Sequence, residues 1–158
     1  MNKFVKIAIM VAICVAVGYV SGIVTRDSVT TWYTIIEKPS FNPPNWIFAP
    51  VWTSLYVMMG IAAGLVWQQI ETKKDEVRTA LVFFFIQLAL NALWSISFFG
   101  LKNPLLALIE IILLFLMIYE TFIKFNKLNK IAGYLFIPYL LWVGFATILN
   151  ASIWWLNK

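Results

Sequence analysis

Five stretches of this 158-residue chain are apolar over the length needed to cross a bilayer: residues 4–25, 46–67, 79–100, 104–123 and 132–155. A membrane-spanning helix takes about 20 mostly apolar residues. Segments such as Ile111–Ile118 are apolar without interruption, whereas a lipid-facing barrel strand alternates apolar and polar positions. In hydrocarbon a helix satisfies its backbone N–H and C=O groups internally. The pattern therefore predicts an all-α integral membrane protein, a single five-helix transmembrane bundle over residues 1–158. The charge content agrees. Only 12% of residues are charged, half the roughly 25% of soluble domains, which excludes a soluble enzyme.

The first stretch follows Lys3 and Lys6 in the manner of a signal peptide. Its apolar run exceeds the roughly 7–15 residues of a signal-peptide core, so it reads as a retained helix. Lysine and arginine placement sets an expected orientation. The N-terminus and the second and fourth loops hold Lys3, Lys6, Lys73, Lys74, Arg78, Lys124, Lys127 and Lys130, against Arg26, Lys38, Lys102 and Lys158 on the other side. The positive-inside rule then puts the N-terminus in the cytoplasm and the first loop outside; a bacterial cell membrane is the expected location, independently of that rule. The net charge of +5 reads as topology, not as a nucleic-acid surface.

Histidine is absent and Cys14 is the sole cysteine. A zinc site, a His-ligated haem, an intrachain disulfide and a Ser–His–Asp couple are thereby excluded. No metal and no required cofactor are expected. Eight tryptophans remain. Trp67, Trp154 and Trp155 sit near helix ends, where tryptophan anchors to the membrane interface. The others point to aromatic recognition.

Buried polar side chains are the informative exceptions in a bilayer. In the third stretch Gln87, Asn91, Trp94 and Ser95 share one helical face; in the fifth, Tyr139, Trp142, Ala146 and Asn150 do so after Pro138. The second adds Trp52, Tyr56 and Met59. These faces either bond neighbouring helices or line a cavity. Glu110 lies deep in the fourth stretch, where a proton relay is one reading, and Glu120 pairs with Lys124 one turn on. Gly18-x-x-x-Gly22 and Gly60-x-x-x-Gly64 permit close helix approach, within the bundle or in a dimer. The 26–45 connection carries aromatics and prolines and reads as an ordered lid; the charged 68–78 connection reads as a solvated turn.

Several motifs together carry a resemblance. Trp32-Tyr33, Lys38-Pro39-Ser40-Phe41, Pro43-Pro44 and Phe48 through Tyr56 are followed by Gln87 through Ser95, Phe98-Phe99, Pro138 through Trp142, Phe145-Ala146-Thr147 and Leu149-Asn150. In this order they resemble the TspO/MBR family of tryptophan-rich sensory and translocator proteins, also called peripheral benzodiazepine receptors. The resemblance implies a commonly dimeric five-helix bundle. It also implies binding of porphyrins such as protoporphyrin IX and of isoquinoline carboxamide and benzodiazepine ligands, in a pocket beneath the first loop. It implies light-dependent porphyrin degradation in bacterial members and a stress or sensory role.

Matched by motif, Trp32, Trp52, Asn91, Trp142 and Ala146 would belong to that pocket, and the last four coincide with the inward faces; the full expected ligand-binding set is Trp32, Pro43, Trp52, Tyr56, Gln87, Asn91, Trp94, Tyr139, Trp142, Ala146 and Asn150. Trp32 and Trp142 are the expected photochemical pair, and Lys38 or Arg26 would meet a porphyrin carboxylate. The absence of histidine favours metal-free porphyrin over haem. Where animal members carry a sterol-recognition pattern, this chain has Leu149-Asn150-Ala151-Ser152-Ile153-Trp154-Trp155, lacking the tyrosine and the basic residue, so sterol binding there is not expected. A transporter or channel for a lipophilic ligand is the alternative reading, and a sensor signalling through residues 68–78 is a third.

Overall fold

In a computed structural model the chain, described over residues 1–158, is helical almost throughout. Five long helices are α1 (Lys3–Thr30), α3 (Phe48–Trp67), α4 (Lys74–Ser95), α5 (Pro104–Leu128) and α6 (Lys130–Leu156), with a one-turn helix α2 (Trp32–Ile35) between the first two. All five are long and apolar enough to span a membrane. The protein is a multi-pass integral membrane protein.

The helices outrun their apolar stretches. Residue α1 Thr30 lies five positions past the expected end, and α5 continues to Leu128. Hydropathy marks where lipid ends, whereas local hydrogen bonds mark where the helix ends. Thr25 Oγ1 donates to the Ser21 carbonyl, Thr30 Oγ1 to that of Asp27, and Thr31 Oγ1 also to that of Asp27. The first loop is accordingly shorter than the expected 26–45 span. At the other end, the expected 124–131 loop shrinks to Asn129. Its backbone N–H donates to Phe125 O at the end of α5, and its side-chain oxygen accepts from Ala132 N at the start of α6. One residue thus closes one helix and caps the next.

Around the bundle α1 packs on α3, α3 on α6, α6 on α5 and α5 on α4. A π-helical turn, Ile96–Gly100, extends α4 and closes the ring against α1. Its wider winding shows in the Leu101 N–H, which donates to Ile96 O at 2.7 Å. Ser28 Oγ of α1 caps the arrangement by donating to Phe99 O at 2.5 Å.

The α1–α3 seam is built on glycine. A Cβ at Gly60 would overlap the backbone of Val11, and one at Gly64 the backbone of Ile7. The Gly60-x-x-x-Gly64 pair therefore serves contact within the bundle. Near the middle, Gly18 accommodates the ring of Tyr56. One turn on, Gly22 has nothing within 4 Å. From that point towards the lid, the two helices part.

Candidate functional site

The parting helices leave a cavity of about 640 Å³ in the half of the bundle under the first loop. Its walls come from five elements. α3 contributes Phe48, Trp52 and Tyr56; α4 and its π turn contribute Trp94, Ser95, Phe98 and Phe99; α6 contributes Trp142, Phe145, Ala146, Leu149, Asn150 and Ile153. α1 supplies the remaining side, including Gly18, Tyr19, Gly22 and Arg26, and α2 adds Tyr33. The π turn explains two consecutive lining aromatics: both Phe98 and Phe99 reach the cavity.

Trp52 is the hub of the aromatic wall. Its ring centroid lies 5.9 Å from Tyr56, 6.0 Å from Trp94 and 6.5 Å from Trp142, the last nearly perpendicular at 84°. Trp94 stacks on Phe98 at 5.6 Å, and Phe48 meets Trp142 edge-on at 6.2 Å. Such pairs contribute about 0.5–1.5 kcal/mol each beyond area burial and hold the rings in fixed planes. Trp94 is fixed further because its Nε1 donates to Asn150 Oδ1 at 3.0 Å, while Asn150 Nδ2 donates to Pro104 O at 2.8 Å. Trp142 differs. Its Nε1 is buried and has no acceptor in the chain.

Beneath the cavity floor runs a buried chain of hydrogen bonds. Tyr56 Oη donates to Asn91 Oδ1, Asn91 Nδ2 to Tyr139 Oη, and Tyr139 Oη to Gln87 Oε1, each at 2.7 Å. Gln87 Nε2 ends it on Met59 Sδ at 3.8 Å. The chain ties α3, α4 and α6 together.

Of the eleven residues expected to bind ligand, the structure brings Trp52, Tyr56, Trp94, Trp142, Ala146 and Asn150 together around the cavity. Gln87, Asn91 and Tyr139 lie below it, engaged with one another and with Tyr56. Trp32 stands behind Phe98, with ring centroids 5.5 Å apart, and Pro43 stays in the lid; neither lines the cavity. Among the cations, Lys38 is committed to the lid: its Nζ donates to the carbonyls of Tyr33 and Ile36 at 2.7 and 2.8 Å. Arg26 lines the cavity, exposed at its rim, with only a loose 3.8 Å contact to Asp27. It is the one charged side chain among the lining residues. Apart from Arg26, sequence reasoning missed the α1 wall. α1 is apolar enough to hide its facing, and only Ser21, Thr25 and Ser28, spaced four and three apart, mark the inward side.

The lid is ordered by its own contacts. Tyr33 is buried, and its Oη donates to Asn42 Oδ1 at 2.6 Å. Burial pushes its phenol up from 10.0 to about 12, so the hydroxyl keeps the proton it donates. Asn157, at the end of α6, grips the lid at two points: its Oδ1 accepts from Glu37 N at 3.0 Å and its Nδ2 donates to Glu37 O at 2.8 Å.

A five-helix membrane protein with a lidded, aromatic-walled cavity is the class that fold and site define. The comparisons name its family. The TspO/MBR family matches residues 10–156, and the chain belongs to it. It is 44% identical to the tryptophan-rich protein TspO of Chlorobaculum tepidum, with 99% of each chain covered. It is 42% identical to the tryptophan-rich protein TspO of Archaeoglobus fulgidus, again over 99% of each. To the human translocator protein it is 35% identical, over 78% of this chain and 73% of that one.

Proposed function

We propose that the protein is a membrane receptor whose cavity binds a flat, largely apolar, anionic ligand of the tetrapyrrole class, with protoporphyrin IX as the model compound. The observation that carries this reading is the wall formed by Trp52, Trp94 and Trp142 in a cavity of about 640 Å³ with a single charge, Arg26, at its rim. That volume lies within the roughly 300–1,000 Å³ of small-molecule sites. Aromatic faces suit a macrocycle, and a guanidinium suits a carboxylate at its edge.

Light-dependent breakdown of the bound porphyrin, with dioxygen as oxidant, is the proposed activity. Trp142 in the wall and Trp32 behind Phe98 are the proposed electron-exchanging pair. A receptor is favoured over a channel because the cavity ends at Tyr56, with the Gln87–Tyr139 chain beneath it and the glycine seam closing α1 on α3. The experiment is a protoporphyrin IX titration followed by tryptophan quenching, in darkness and then under illumination, for wild type, Trp32→Phe and Trp142→Phe. Saturable quenching in darkness with slower photobleaching in the variants is expected. Absence of saturable quenching contradicts the receptor reading, and unchanged bleaching in both variants contradicts the photochemical one.

A further inference from the structure

The cavity is not enclosed evenly. Its α4 and α6 walls are sealed, with Trp94, Phe98, Ala146 and Leu149 all buried. On the α1–α3 side the lining residues are themselves exposed at the bundle surface: Tyr19 and Ile23 on α1, 72% and 51% exposed, with Gly22 between them, and Ala49 and Thr53 on α3. Both helices lie within the membrane-spanning set, so this opening faces lipid. Its floor is the point where Gly18 meets Tyr56, below which the seam is too tight for a Cβ.

The other way in, through the lid, is fastened. The Asn157 grip on Glu37 ties the lid to the end of α6 and must be broken to lift it, while the Tyr33–Asn42 hydrogen bond and the two bonds from Lys38 brace the lid internally, so that it moves as one piece. The lateral opening has no such fastening, and its rim carries Arg26.

We propose that the gap between α1 and α3 is a lateral portal, through which an amphiphile dissolved in the bilayer enters the cavity apolar part first, leaving its anionic group at Arg26. The ligand class that follows is a membrane-partitioned amphiphile, delivered by lipid rather than by water. The inference rests on the cavity being the binding site, and its test uses no porphyrin, so the two fail separately.

The test places a thiol inside the cavity, as Ala146→Cys with Cys14→Ser, in phosphatidylcholine vesicles. Labelling is followed by mass spectrometry with a bilayer-dissolved pyrene maleimide and with a charged, membrane-impermeant methanethiosulfonate. The pyrene reagent should label at least about tenfold faster relative to its rate with an exposed control thiol. Gly22→Trp should slow that labelling about tenfold, as an obstructed entry slows association. Thr53→Trp, on the opposite rim, should do the same if the first variant fails to fold. Asn157→Ala, which releases the lid, should leave the pyrene rate unchanged. The proposal is overturned if the charged reagent labels as readily, or if Asn157→Ala accelerates labelling while the rim variants do not slow it.

Discussion

Both halves of the α1–α3 seam carry a pair of glycines four residues apart, yet they have opposite character. Away from the lid, Gly60 and Gly64 draw the helices into backbone contact with Val11 and Ile7. Next to this seam, the polar groups of Tyr56, Asn91, Tyr139 and Gln87 satisfy one another. Toward the lid, Gly22 faces open space, Trp142 Nε1 lacks an acceptor, and aromatic rings surround a void. The difference teaches that a glycine or a buried amide is not in itself a mark of packing or of binding. What matters is whether the neighbour fills the space and completes the hydrogen bonds.

The comparison can be broken most severely at the tight half. Gly60→Leu should cost about 3 kcal/mol or more, at the top of the overpacking range, because the obstructing atoms of Val11 are backbone and cannot rotate away. Loss of folded protein in detergent thermal melts checks this, and Gly22→Leu should be tolerated. Asn91→Leu strips partners from both Tyr56 and Tyr139. It should destabilise by about 1–2 kcal/mol, since interhelical hydrogen bonds in membranes are individually modest. A melt unchanged within error would show that the chain of bonds is dispensable.

At the open half the expected effects are smaller and ligand-specific. Arg26→Gln should weaken protoporphyrin IX about tenfold, roughly the value of one charge-assisted contact, and leave its dimethyl ester unaffected. Equal losses for both would remove the carboxylate from the account. The smallest effect concerns the lid. Tyr33 is neutral in the folded state up to about pH 12, against an ordinary value of 10.0. Its contribution is fully present below pH 10 and declines as the pH rises through 12. Proteolytic protection of the lid should therefore be flat from pH 6 to 9 and fall only in strong base; Tyr33→Phe should remove that step.

The long apolar stretches made the fold legible, because the length of a spanning helix is imposed by the bilayer. Helix ends were not legible, since the Thr30 and Thr31 back-bonds and the double role of Asn129 lie outside hydropathy. The inward stripes of α3 and α6 were readable as faces, because Trp52, Trp142 and Ala146 stand among aliphatic residues. Whether a stripe lines space or fills it depends on the partner helix. Gln87 and Asn91 find partners below the cavity floor. The α1 wall and the π turn behind Phe98 and Phe99 left almost no trace in the residue pattern.

The most direct test of the central claim, that the lidded aromatic cavity is the ligand site, is a dark equilibrium titration of protoporphyrin IX into wild type and Ala146→Phe in lipid nanodiscs. Ala146 is a small, buried lining residue. Filling that space should weaken binding about tenfold or more while the melting temperature stays near wild type, because the added ring occupies a void instead of a packed core. Equal affinity in a folded variant would place the ligand elsewhere on the protein and contradict the account.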